Sequence, residues 1–142
     1  MARRAAVTKL YLASNRSSEE TWLSGHGFVS AAREGWTYAD GAQADVDIFR
    51  FALATDADSE IDSWDTYFLK EAGLASVLTD PTIGGEGIVI PASKKTSYVT
   101  TKTATNIGFY VIEVQVYAHT PVPAIAKDLL GQQYALLKAG GA

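Results

Sequence analysis

The sequence predicts a mainly β protein: an antiparallel β-sandwich or jelly-roll-like domain with a C-terminal amphipathic helix. Two observations support this class. Residues 86–118 are almost all β-branched, aromatic or turn-forming, which is typical of three consecutive strands. After the two prolines at 121 and 123, apolar residues recur at helical spacing. We therefore expect a sandwich domain at 1–120 and a helical extension at 121–142.

Length and composition restrict the class of protein. A chain of 142 residues fits one domain with a sizeable core. Cysteine is absent, which excludes disulfides and thiolate metal sites. The net charge of −4, from 12 basic and 16 acidic side chains, argues against a nucleic-acid partner. Thr8 and Lys9 interrupt the N-terminal apolar run, and Phe109–Val116 is too short to span a membrane. We expect no signal peptide, no membrane partner and a cytoplasmic origin.

The N-terminal part predicts short elements. Residues 7–13 alternate imperfectly and stop at the turn formers 14–18, as a first strand would. Residues 19–23 suit a short helix or a wide loop equally, because acidic residues lie where a helix would begin. Residues 26–31 predict a second short strand that ends before Gly35.

The middle of the chain alternates between strand and turn signals. The polar stretch 40–43 predicts a turn, and 45–54 predicts a central strand because both of its faces carry apolar residues. Residues 55–63 are acidic and turn-rich, and 64–69 return to strand composition. We expect 73–87 to be a long loop, because Asp80-Pro81 and Gly84-Gly85 lie within it.

The last three strands predict a meander. Turns are expected at 91–95 and at Thr105-Asn106. Along the final strand, one face carries Gly108, Tyr110, Ile112, Val114 and Val116, and we expect this face to be the core side. Glu113 and Gln115 would then point outward.

The C-terminal helix must bury its apolar stripe, because an isolated helix of this length is marginal in water. It can pack on its own sandwich or on another chain, and the pattern does not separate the two. With aromatic anchors added, the predicted interface between chains consists of Trp36, Trp64, Ile125, Leu129, Leu130, Tyr134 and Leu137.

Residues 56–62 resemble the start of a calcium loop, because acids occupy alternate positions. An EF-hand is excluded, since Ile61 stands where glycine is required and Tyr67 where a bidentate glutamate is required. We interpret the acidic segment 56–65 as a solvated loop. A looser calcium site stays open as the alternative.

No motif for catalysis is present. His26 and His119 are far apart and lack nearby acidic partners, so no metal site is predicted. The sequence contains no nucleophile elbow and no phosphate-binding glycine loop. Trp22, Trp36 and Trp64 could line a glycan site, although aromatic residues of small β proteins more often lie in a core or an interface. We predict no catalytic, cofactor-binding or metal-binding residue, no cofactor, and no small-molecule substrate.

The strand pattern resembles that of small β-sandwich structural proteins of tailed-phage virions. The resemblance lies in an apolar strand followed by Ile-Pro-Ala and lysines at 88–95, a threonine-rich strand at 98–101, and a small-residue–Asn step leading into the last strand at 104–116. Residues 49–56 and 64–68 resemble the preceding strands. The resemblance implies a decoration, neck or tail component of the particle. The C-terminal helix departs from that pattern and leaves the position in the particle open.

A second resemblance is to toxin-type ADP-ribosyltransferases. Residues 9–16 resemble their first strand, and 97–103 resemble their Ser-Thr-Ser strand. Leu12 stands where the family has its NAD-binding arginine, and Gln132-Gln133-Tyr134 stands where a Glu-x-Glu pair belongs. Without those groups the resemblance implies a degenerate relative that at most binds a ligand.

The sequence thus favours a non-enzymatic virion structural protein, made in the host cytoplasm and located in the particle. Its expected partners are further copies of itself and other virion proteins. A catalytically degenerate transferase-like domain and a glycan-binding module are the alternatives.

Overall fold

The computed structural model describes residue 25 and residues 27–71, 76–93 and 97–142. In these residues, six strands form one antiparallel sheet, and helices pack on both of its faces. The elements are β1 (Phe28–Thr37), β2 (Gln43–Phe51), α1 (Ala54–Asp65), a π-helical segment (Thr66–Glu71), β3 (Ser76–Asp80), β4 (Gly85–Ile90), β5 (Val99–Ile107), β6 (Tyr110–Ala118) and α2 (Pro123–Ala139).

The strand order across the sheet is β1-β2-β6-β5-β4-β3. β1 and β2 form one hairpin, and β3 to β6 form a meander whose last strand returns to pair with β2. β2 and β6 are therefore central strands. Their central position explains why both carry apolar residues on both faces.

Helix α2 covers the first face of the sheet. Ala126, Leu129 and Leu130 pack on the valines and isoleucine of β6, and on Ala44 and Val46 of β2. β5 lines this face with buried threonines, and the Thr103 hydroxyl donates a hydrogen bond to the Ala126 carbonyl at 3.5 Å. Gly85 of β4 allows a close approach, because a Cβ atom there would lie 2.8 Å from Leu130 Cδ2.

Helix α1 and the π-helical segment cover part of the second face. Ala57, Ile61, Trp64 and Phe68 follow one another at spacings of three or four residues and so form a single apolar stripe. The N-terminal part of the stripe packs on Phe49, Phe51 and Val111, and the C-terminal part packs on Ile88 and Ala104.

The prediction of a mainly β, antiparallel domain with a C-terminal helix is confirmed. The turn at 40–43 and the helix that begins after Pro121 are present, and the predicted central strand at 45–54 is present as β2, which ends at Phe51. The final meander is present too, but its predicted turn at Thr105-Asn106 is wrong: both residues pair with β6 within β5, and the turn lies at 108–109. The arrangement of layers differs, because within the described residues one sheet between two helical layers takes the place of two facing sheets.

The predictions of an acidic loop at 55–63 and of a strand at 64–69 are wrong. These residues form α1 and the π-helical segment instead. The aromatic and β-branched composition of 64–69 favoured a strand. Packing of the apolar stripe on the sheet overrides that preference, because only a helix brings Ile61, Trp64 and Phe68 to one face.

The long loop predicted at 73–87 is also wrong. The described residues of this region form the β3–β4 hairpin, closed by the turn residues 81–84. The Asp80 carboxylate accepts a hydrogen bond from the Thr82 backbone N–H at 3.2 Å, and Gly84 adopts φ +68°. The Asp80-Pro81 and Gly84-Gly85 pairs therefore mark one tight turn between two strands.

One other difference concerns the N-terminal part. β1 continues through Gly35 to Thr37, because it pairs with β2 along its length. The strand predicted at 7–13, the turn at 14–18 and the helix or loop at 19–23 lie outside the described residues.

Candidate functional site

The second face of the sheet carries a row of polar side chains beyond the part that α1 covers. We call it the charged ladder; it comprises Arg33, Asp45, Asp47, Lys102, Glu113, Gln115 and Tyr117. Its residues alternate along β1, β2, β6 and β5, so strand pairing places them side by side.

At the β1 end of the ladder, Arg33 binds the Asp47 carboxylate in a bidentate manner, through two hydrogen bonds. Arg33 Nε donates to Asp47 Oδ1 at 2.7 Å, and Nη2 donates to Oδ2 at 2.9 Å. Asp47 is only 1% exposed, and burial raises the pKa of its carboxyl even though Arg33 acts in the opposite direction. Asp47 raises the pKa of the Arg33 guanidinium further, so Arg33 stays charged.

Toward β5, the ladder continues as a chain of hydrogen bonds. The Tyr117 hydroxyl donates to Gln115 Oε1 at 2.8 Å, and Gln115 Nε2 donates to Glu113 Oε1 at 3.0 Å. Lys102 Nζ lies 3.0 Å from the same Glu113 oxygen and 4.6 Å from the centre of the Phe68 ring. The buried Glu113 carboxylate thus has a cation and an amide as partners.

Tyr117 lies in the negative electrostatic field of the carboxylates of the ladder. Burial and the nearby Asp45 carboxylate raise its pKa to about 12. Asp45 itself packs against Gly35 on β1, where a larger residue would meet its carboxylate. The phenol is therefore a neutral hydrogen-bond donor at physiological pH.

The ladder is built to hold strands together. Its two cations each contact a carboxylate, and it contains neither a histidine nor a serine that could act as base or nucleophile. In the part of the chain that the structure describes, no group of three or more histidine, aspartate or glutamate residues is arranged to hold a metal ion. None of the helices in the described ranges has the length and apolar character needed to cross a bilayer.

A second feature lies at one end of the sheet and consists of exposed apolar side chains. Val29, Leu53 and Phe109 are 49%, 59% and 47% exposed. The chain segments that carry them lie close together, because Phe51 N–H donates to the Phe109 carbonyl at 2.8 Å and Ala52 N–H donates to the Gly27 carbonyl at 2.8 Å. The start of β1, the end of β2 and the β5–β6 turn therefore meet at this end.

Helix α2 extends the same surface. Its C-terminus reaches the β5–β6 turn, where Ala142 lies 3.6 Å from the position of a Cβ atom on Gly108. Leu136 follows the buried Leu129 by two helical turns but is 65% exposed. We call Val29, Leu53, Phe109 and Leu136 the apolar end. Isolated exposed apolar side chains are ordinary in proteins, whereas several such side chains at one end of a sheet indicate a contact surface.

The predicted interface residues lie mostly in the chain's own core. Leu129 and Leu130 of α2 are buried against the sheet, and Ile125, Tyr134 and Leu137 pack around them. Trp36 packs against the same core, and Trp64 of α1 is buried against the second face of the sheet. Their use between chains stays a prediction, and the packing seen here gives them a role within one chain.

Other residues singled out in the sequence lie apart from one another. The acids of 56–62 are spread around α1, where Asp58 accepts a 2.5 Å hydrogen bond from Asn106. His119 stacks on Tyr98 with ring centres 5.5 Å apart, while His26 lies outside the described residues. Gln132-Gln133-Tyr134 is helical, not part of a strand.

No protein-family model and no curated protein sequence matches this chain. The fold is similar to that of the extracellular domain of PknH from Mycobacterium tuberculosis, with a TM-score of 0.56 and 9% sequence identity. The similarity covers 79% of this chain and 66% of the PknH chain, which is less than two thirds of the latter. At this identity the likeness concerns the fold alone.

The sequence analysis predicted neither the charged ladder nor the apolar end. The charged ladder has a visible signal, since Asp45, Asp47, Glu113 and Gln115 alternate with apolar residues in two adjacent central strands. The apolar end has no such signal, because its four residues come from four separate parts of the chain.

Proposed function

We propose that this chain is a non-enzymatic structural subunit that associates with further copies of itself through the apolar end. The observation that carries the proposal is the exposure of Val29, Leu53, Phe109 and Leu136 at one end of the sheet. Burying such side chains between chains releases roughly 25 cal/mol for each Å² of apolar surface removed from water.

The charged ladder supports a function without chemistry. Its two cations pair with the buried carboxylates of Asp47 and Glu113, so a substrate would have to break these ion pairs to use them. The same network fixes the register of β1, β2, β6 and β5 and so provides a rigid platform for a contact surface.

We infer the setting from the strand pattern of 88–116, which resembles that of β-sandwich proteins of tailed-phage virions. In this setting the subunit forms part of a capsid, neck or tail, or decorates it. Its partners are other virion proteins, and it needs no cofactor, nucleic acid or membrane. Detection of the chain in purified particles by mass spectrometry tests this setting, and its absence from them would count against it.

Leu53→Ser tests the association surface with little risk of unfolding. Leu53 is the N-cap of α1 and has extended backbone angles, φ −127° and ψ 148°, without a side-chain cap. Serine suits that position and stabilises a helix start by about 1 kcal/mol. The variant should therefore unfold at a higher urea concentration and yet associate more weakly.

The matched control is Tyr98→Ser, which removes an exposed aromatic residue from the opposite end of the sheet. Its association should equal that of the wild type. If Leu53→Ser associates as strongly as Tyr98→Ser does, the apolar end is not the contact surface.

The second candidate function is that of an extracellular domain of a larger protein. The observation that favours it is the likeness in fold to the extracellular domain of PknH. Protease treatment of intact cells that express the chain in its native context separates the candidates: cleavage from outside supports the extracellular domain and argues against a virion component.

A further inference from the structure

Two buried polar atoms lie in the layer between α1 and the second sheet face without a hydrogen-bond partner. They are Trp64 Nε1 and Glu86 Oε2, and no other described residue supplies a partner for either. Trp64 is only 7% exposed, so its indole N–H is shielded from bulk solvent. Proteins rarely leave such groups unsatisfied, and each one calls for an explanation.

Strand pairing brings the two side chains into one neighbourhood. Glu86 on β4 lies directly opposite Ala104 on β5, and Ile88 follows on the same face two residues later. Trp64 belongs to one packed cluster with Ala104 and Ile88. Both side chains therefore belong to the same patch of the second sheet face, around Ala104.

The nearby charged groups do not supply the missing hydrogen-bond partners. Lys102 Nζ is engaged by Glu113 at 3.0 Å and by the Phe68 ring at 4.6 Å. Phe68 in turn packs against Trp64, with ring centres 4.9 Å apart, and covers one side of the indole. Neither Lys102 nor Phe68 therefore supplies a hydrogen-bond partner for the two atoms.

The chemistry of the two atoms selects what can pair with them. An indole N–H only donates a hydrogen bond, and a carboxylate only accepts one. A group that satisfies both must accept from one and donate to the other, as a hydroxyl does. We propose that Trp64 Nε1 and Glu86 Oε2 form a binding site for one hydroxyl group, which accepts from the indole and donates to the carboxylate.

The hydroxyl has two possible sources. One is a single long-lived water molecule, since buried water commonly satisfies such atoms. The other is a small alcohol or polyol whose apolar part contacts Phe68 and Trp64. The site does not depend on self-association, so its failure would leave the proposed function untouched.

Nuclear magnetic resonance of the ¹⁵N-labelled chain tests the site, with glycerol as the polyol probe. Trp64→Phe identifies the Trp64 indole signal among those of the three tryptophans. If the guest is water, the Trp64 indole proton gives a cross-peak to a long-lived water, and glycerol leaves the signal in place. If the guest is a polyol, glycerol shifts that signal until it saturates.

Glu86→Leu removes the acceptor and should abolish either response, while Glu34→Leu, an exposed glutamate on β1, should retain it. Absence of both the water cross-peak and the glycerol shift in the wild-type protein would overturn the proposal. So would survival of the response in Glu86→Leu. Should that variant fail to fold, Glu86→Gln keeps an acceptor oxygen and must keep the response, and its loss there would contradict the site.

Discussion

The guanidinium of Arg33 grips the buried carboxylate of Asp47 through two hydrogen bonds of 2.7 and 2.9 Å, which joins the β1 strand to the centre of the sheet. Asp47 also lies opposite Glu113 on β6, so the carboxylate stands between a cation and a second acid. The pair therefore neutralises the charge of a buried carboxylate on a central strand of the sheet.

Removing Arg33 alone should be costly. Arg33→Met leaves Asp47 buried without its cation, and we expect a loss of about 2 kcal/mol in the free energy of unfolding. The double change Arg33→Met with Asp47→Leu should recover most of that loss, because an apolar pair needs no compensation. Urea unfolding measures both. Equal losses in the single and double variants would show that the pair carries no such coupling.

Leu130 should be essential for folding, whereas Leu136 should not. Leu130→Ala empties a site under α2 and should cost about 2–5 kcal/mol of unfolding free energy. Leu136→Ala changes an exposed side chain and should alter stability by about 0.5 kcal/mol or less. Thermal and urea unfolding compare the two. For the same reason, aspartate at positions 129 and 130 should unfold the domain rather than only block association.

Gly85 tests how tightly α2 packs on the sheet. Gly85→Ala places a methyl group 2.8 Å from Leu130 Cδ2, and we expect a loss of about 1–3 kcal/mol from overpacking. Gly131→Ala on α2 is the control, because its new methyl group meets no atom within 4 Å and should stabilise the helix by about 0.5–1 kcal/mol. If both substitutions have the same effect on unfolding, α2 does not lie against β4 as described.

The raised pKa of Tyr117 predicts that the protein loses stability at alkaline pH. Its folded pKa of about 12 exceeds the unfolded value of about 10. Its contribution is complete below pH ~10, where both states keep the proton, and falls as pH rises toward ~12, because only the unfolded state then ionises. Tyr117→Phe should show a shallower fall in that window, whereas Tyr67→Phe, an exposed control, should behave as the wild type does. Urea unfolding across the window decides between them.

Local pattern was enough to predict the last three strands of the meander and helix α2. Each carries a strong period of its own, such as the β-branched run in 99–118 and the apolar stripe after Pro123. The β1–β2 pairing and the position of β6 between β2 and β5 depend on contacts far apart in sequence, which no single segment encodes.

Helix α1 shows where composition misled the prediction. The residues 55–69 contain many acidic, turn-forming and aromatic side chains, yet Ala57, Ile61, Trp64 and Phe68 have helical spacing. Giving more weight to that spacing than to composition would have found the helix. The apolar end could not have been found in this way, because Leu53 and Phe109 become neighbours only when β2 pairs with β6.

The mass of the wild-type protein in solution tests the central claim most directly. Light scattering at a low and a high protein concentration should give a defined oligomer whose population rises with concentration. A mass equal to the monomer of 15.2 kDa at both concentrations would contradict self-association through the apolar end.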